Sequence, residues 1–181
     1  PCYLRLGKAG EPVVHDEPPP FTVGKAITLS RGSDVTFVST GGMLAAAVQA
    51  AEQLGQTGIS VGVVSMPTVK PLDADCLRAV AKQCELIVTI EEHNVIGGLG
   101  GAVSEVLVGV HGSQVGLKRV GVQDRFYEEI GSQEYLRAQT GLTVEQLVDA
   151  AETGLAERRL TNGQPGKPIR KQRESATRGK A

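Results

Sequence analysis

The stretch Ile87–Gly101 reads I-V-T-I-E-E-H-N-V-I-G-G-L-G-G. A β-branched run ends in Glu91, Glu92 and His93, and a glycine cluster follows. Two carboxylates and an imidazole are groups suited to general acid–base chemistry. The carboxylates have a second use, because one of them can cap the helix that follows, where the dipole favours negative charge. A third reading places the trio at a subunit or domain interface. No nucleophile or second base accompanies them in the sequence, so no catalytic residue is assigned.

The cluster Gly97-Gly98-Leu99-Gly100-Gly101 resembles a dinucleotide loop only in part. Gly98 and Gly100 supply two glycines of G-x-G-x-x-G, but Val103 stands at the third position. Lys118 and Arg119 occupy the place of the expected ribose-binding acid. Six residues, Glu91–Ile96, also separate the loop from the strand. A nicotinamide cofactor is therefore discounted, and the glycines are read as a tight reversal with close helix packing. Gly41-Gly42 likewise joins a strand to a helix. It either holds a phosphate on backbone amides or makes a tight turn. The Lys–Ser/Thr pair of a P-loop is absent.

His15, His93 and His111 are scattered, without the spacing of ligands on one helix, so no metal site is expected. His15 is read as solvated. Asp124-Arg125-Phe126 reads as a capped, ion-paired turn with Phe126 in the core. Cys2, Cys76 and Cys84 are odd in number and lack CxxC spacing, which points to reduced thiols in a cytoplasmic setting.

These residues need elements to position them. Strands are expected at Val23–Leu29, Val35–Thr40, Ile59–Val64, Glu85–Ile90 and Leu117–Val122. Helices are expected at Met43–Leu54, Ala74–Lys82 with Asp73 as N-cap, Ala102–Gly109, and Gln133–Ala138. Thr143 caps a last helix, Val144–Arg159, with Glu145 and Gln146 in its first turn. Strands separated by single helices imply an α/β fold, with a mostly parallel sheet covered on both faces.

The ends differ. Residues 1–8, P-C-Y-L-R-L-G-K, alternate as a strand does. Pro12, Pro18, Pro19 and Pro20 mark residues 10–20 as a linker. Residues 161–181 are basic and poor in apolar side chains, which predicts a disordered tail. The chain opens at Pro1 without a leader and reads as a piece of a longer protein. Its net charge of −1 favours no nucleic acid partner. No apolar run is long enough to cross a bilayer. Aromatic residues make up only 3%, so the core must be aliphatic and rich in Ala and Gly.

Taken in order, several segments resemble the C-terminal domain of transketolases. They are Phe21–Ala26, Asp34–Gly41, Ala50–Leu54, Pro67–Asp73, Val88–Gly101, Gly121–Phe126, Gly131 and Gly141–Thr143. The resemblance covers about residues 21–155. The same domain occurs in 1-deoxyxylulose-5-phosphate synthases and in the β subunits of 2-oxo acid dehydrogenases. E-E-H-N and D-R-F look closest to the transketolase type, especially the kind split into two chains.

The resemblance implies a three-layer α/β/α sandwich over residues 21–160. Its sheet has five strands, mostly parallel with one antiparallel. It implies that residues 1–9 are the last strand of a truncated pyrimidine-binding domain. Arg5 matches an arginine that reaches the substrate's phosphate, a role that suits a guanidinium fork; a surface strand arginine is the other reading. Thiamine diphosphate and Mg would serve the complete enzyme without being bound by this piece. The partners implied are the pyrimidine-binding and pyrophosphate-binding domains or sections, in a homodimer of active units. The expected function is subunit association and shaping of the substrate entrance, with Glu91, Glu92, His93, Gly97, Gly98 and Gly100 facing a neighbour. The alternatives are a 1-deoxyxylulose-5-phosphate synthase-type domain, or a free-standing Rossmann-like regulatory module. Such a module would bind an anion at Gly41-Gly42 or Gly97–Gly101.

Overall fold

Val35–Ser39 is apolar or small at every position and buried along its whole length, as a strand covered on both faces must be. It is β2 of a computed structural model that describes residues 10–110 and 114–163. The other strands are β1 (Ile27–Ser30), β3 (Val61–Ser65), β4 (Leu86–Asn94) and β5 (Gly116–Val122). The sheet order is β1-β3-β2-β4-β5. β1 pairs antiparallel with β3, and the other pairs are parallel. The five-stranded, mostly parallel sheet expected from the sequence is therefore present.

The helices are α1 (Leu44–Gln56), α2 (Ala74–Val80), α3 (Leu99–Val108), α4 (Gln133–Thr140) and α5 (Val144–Thr161). Strand alternation divides the apolar side chains between two cores. Val35, Phe37, Val88 and Ile90 pack with Leu44, Ala47 and Leu54 of α1 and with Leu147 and Ala151 of α5. Val38, Val64 and Ile87 pack on the other face with Leu77 of α2 and with Leu99 and Val103 of α3. The result is the three-layer sandwich.

Local signals set several boundaries. Asp73 accepts from Cys76 N at 3.1 Å and starts α2. Thr143 and Gln146 form a reciprocal capping box at α5. Residues 11–26 form neither helix nor strand, yet Val14 packs against the α1/α5 core. His15 is half-buried rather than fully solvated.

Five expectations need correction. β1 begins at Ile27, not Val23, because Val23 and Phe21 lie exposed before the sheet edge. β4 continues through Asn94, which pairs with Val122, so Glu91–His93 belong to the strand. α3 begins at Leu99, three residues earlier than expected, and takes in Gly100 and Gly101. Phe126 is 99% exposed rather than in the core. Polar contacts hold its turn: Gln123 N donates to Tyr127 Oη at 3.2 Å, and Arg125 stacks 4.4 Å above the Tyr127 ring. Asp124 pairs with Asn94 and not with Arg125. The expected first strand and the basic tail beyond residue 163, with Arg5, Cys2 and His111, lie outside the described residues.

Candidate functional site at the carboxyl end of the sheet

Strand alternation sends Glu91 to the α3 side of β4 and Glu92 to the opposite side. Glu91 is fully buried. Its Oε2 accepts from Leu99 N at 2.5 Å and its Oε1 from Gly100 N at 2.7 Å. Helix N-termini leave their first amides without partners and carry partial positive charge. The carboxylate satisfies two of those amides, which offsets the cost of burying it. Of the three uses open to this carboxylate, the geometry shows the cap.

The glycines permit this approach. A Cβ on Gly98 would overlap Glu91 Oε2 and stand 2.7 Å from His93 Nδ1. A Cβ on Gly100 would lie 2.8 Å from Thr89 Oγ1 and from Arg119 Cγ and Cδ. Gly97 is different: it has a positive φ of 77° and open space around it. The Leu99 and Gly100 amides are taken, so this helix end is already filled by an anion from within the chain.

His93 is exposed, with Nδ1 2.8 Å from the Asn94 carbonyl oxygen and 4.0 Å from Glu91 Oε2. A carbonyl only accepts, so Nδ1 carries the proton. Glu92 faces α4, where Arg137 Nε and Nη2 reach its two oxygens at 2.9 and 3.2 Å. Gln133 Nε2 adds contacts at 3.3 Å. This fork links the end of β4 to α4.

Asn94 holds two loops together. Its Nδ2 donates to Asp124 Oδ1 at 2.9 Å, and its Oδ1 accepts from Ile96 N at 2.8 Å. Arg119 Nη1 donates to Val95 O at 3.1 Å. Sequence reasoning alone does not single out Asn94 or Arg137 as site residues, and it reads Arg119 and Asp124 in other roles. Asn94 stands in the E-E-H-N run and is open to notice there, but nothing local connects Arg137 with Glu92.

Gly41, with a φ of 62°, opens a 3-10 turn (Gly41–Met43) between β2 and α1. No side chain caps that turn. A Cβ on Gly42 would stand 3.2 Å from Arg137 Nη2 and 3.5 Å from Glu11 Oε2. The tight-turn reading accounts for these glycines. Among the described residues, no three His, Cys, Asp or Glu side chains stand together as a metal would need. No helix among them is long and apolar enough to cross a membrane.

The family described as "Transketolase, C-terminal domain" matches residues 24–147. A subunit of an apulose-4-phosphate transketolase from Actinobacillus succinogenes is 34% identical over 83% of this chain and 48% of its own length. A 6-deoxy-6-sulfo-D-fructose transketolase subunit from a Clostridium species is 42% identical over 83% of this chain and 46% of its own. A 1-deoxy-D-xylulose-5-phosphate synthase from Desulforudis audaxviator is 40% identical over 72% of this chain and 20% of its own. Among solved structures, one described as a split-gene transketolase, inactive β4 tetramer, superimposes with a TM-score of 0.75. It is 39% identical and covers 81% of this chain and 47% of that one. The chain thus spans about half the length, or less, of the relatives it matches. With the fold, the aligned segments and these matches in agreement, the chain belongs to the transketolase family and comprises its C-terminal domain.

Proposed function

We propose that the chain is the C-terminal section of a thiamine-diphosphate-dependent transketolase-like enzyme and is inactive alone. The complete enzyme transfers ketol groups between sugar phosphates in the cytoplasm. The observation that carries this reading is the buried Glu91 cap within a domain of this family: the buried member of the reactive-looking trio is spent on architecture.

We place thiamine diphosphate and magnesium outside the described residues. Glu91 already occupies the glycine-rich helix end where a diphosphate would sit. In this reading the cofactor belongs to the pyrimidine-binding and pyrophosphate-binding sections. Residues 1–9 end the former, residues 10–20 link it to the domain of residues 21–160, and residues 161–181 form a basic tail. Arg5 binds the substrate's phosphate.

The rim at the carboxyl end meets those sections, in a homodimer of active units. Glu92, His93 and Gly97 are exposed there, whereas Glu91, Gly98 and Gly100 are buried and support them from beneath. Ile96 is 62% and Phe126 99% exposed on loops joined by Asn94. In this reading the neighbouring sections cover these two apolar side chains. A relative named as a subunit and a similar structure named as a tetramer support an assembled state.

A second reading, a 1-deoxyxylulose-5-phosphate synthase-type domain, rests on the 40% identical relative of that name. One assay tests both. The chain is joined to its upstream section and supplied with thiamine diphosphate and Mg²⁺. Cofactor-dependent ketol transfer between sugar phosphates is expected from the complete protein and none from this chain alone. Arg5→Ala should raise KM for phosphorylated substrates. Formation of 1-deoxyxylulose 5-phosphate would select the second reading. A folded, complete protein with neither activity would overturn the proposal.

A further inference from the structure

A cavity of about 220 Å³ opens between the edge strand β1 and helix α2. It lies on the α2 side of the sheet. β1 alternates: Ile27 and Leu29 are half-buried, whereas Thr28 and Ser30 stay exposed. Thr28 and Ser30 line the cavity together with Thr36 of β2, Arg31 of the turn after β1, and Gln83 just beyond α2. Val64 and Val80 supply an apolar floor. α2 has only seven residues, and its Leu77 and Val80 face the core.

The charge pattern is one-sided. No carboxylate lines the cavity. Among the described residues, the Arg31 guanidinium takes part in no ion pair. The nearby acids are engaged elsewhere. Asp73 receives the amides of Ala26 and Cys76 and the Lys25 ammonium, and Asp75 pairs with Arg78 at 2.8 Å. Burial, reinforced by the Asp73 charge, pushes the Cys76 thiol up, so this lining group stays neutral. An uncommitted guanidinium beside three hydroxyls and an amide is a donor-rich wall. Such a wall suits an oxyanion, and the guanidinium fork suits a carboxylate or phosphate. A volume of about 220 Å³ is enough for such a group on a short carbon skeleton.

We propose that this cavity binds a small organic oxyanion, a phosphate or carboxylate carried on two or three carbons. Arg31 is its charge partner, and Thr28, Ser30, Thr36 and Gln83 are its neutral donors. The bound ligand bridges β1 and α2 and so adds stability to the sheet edge by linkage. This site stands independently of the thiamine-enzyme reading.

Amide NMR titration of the full chain tests it, with inorganic phosphate, 2-phosphoglycolate and glycolate as separate probes. At least one should give saturable shifts within about 10 mM, centred on Thr28, Arg31, Cys76 and Gln83. Response to phosphate and phosphoglycolate but not glycolate identifies the phosphate form; response to glycolate identifies the carboxylate form. Arg31→Ala should weaken binding by about ten-fold or more. Ala79→Leu, at an exposed lining position, narrows the groove without touching a charge and should also weaken it. The absence of saturable shifts with all three probes overturns the proposal. Unchanged affinity in Arg31→Ala, or shifts centred on Gly41-Gly42 instead, does the same.

Discussion

The Glu91 carboxylate occupies the space in which a Cβ on residue 98 would lie. Gly98 has a φ of −94°, so space, and not a left-handed backbone, is what demands glycine there. Gly101, in the helix that follows, has nothing within 4 Å of its Cβ position. Gly98→Ala should therefore cost about 1–3 kcal/mol by overpacking. Gly101→Ala should gain about 0.5–1 kcal/mol from helix propensity. Urea denaturation of both variants checks the opposite signs.

Asp73 ties α2 to the segment before β1. Its Oδ2 accepts from Ala26 N at 3.0 Å and its Oδ1 from Cys76 N at 3.1 Å. Burial pushes its pKa up, but these two bonds and Lys25 more than offset that, leaving it below the ordinary 3.8. A folded-state pKa below the unfolded one adds stability that is complete above the unfolded value. That stability is lost as pH falls through the folded value. Asp73→Asn should cost about 1–2 kcal/mol at neutral pH. The gap between wild type and variant should narrow as pH falls below 3.8. Urea midpoints across that range measure it.

Arg159, near the end of α5, pins the amino ends of two strands. It meets Glu85 through Nε at 3.1 Å and Nη2 at 2.8 Å, and Asp34 through Nη2 at 2.6 Å. The hydrogen bonds to Glu85 contribute most to raising its pKa, opposed by burial and aided by the Glu85 and Asp34 charges. Its side chain is only 18% exposed. Arg159→Met should cost about 1–3 kcal/mol, since it strands two carboxylates. Arg159→Lys should recover only part, because an ammonium lacks the fork. Thermal unfolding of both variants checks the order.

Elements governed by local chemistry are legible in the sequence. Val35–Ser39 is apolar enough to announce a buried strand, and Asp73 and Thr143 announce their helices through their own side chains. The start of α3 is not legible as a boundary. Its cap comes from Glu91, eight residues earlier on a strand, so Gly100 and Gly101 read as loop although they are helical. Phe126 misleads because apolarity alone argues for burial, while the Tyr127 and Asn94 contacts hold its turn with the ring outward. The Glu92–Arg137 fork spans 45 residues, and periodicity carries no signal at that range.

We propose that this domain meets the rest of its enzyme through the rim around Glu92, His93 and Gly97. Hydrogen–deuterium exchange on the chain alone, and on the chain assembled with its upstream section, tests it most directly. Exchange in residues 92–98 and 124–131 should slow on assembly. An active assembly in which both segments exchange as fast as in the isolated chain would contradict it.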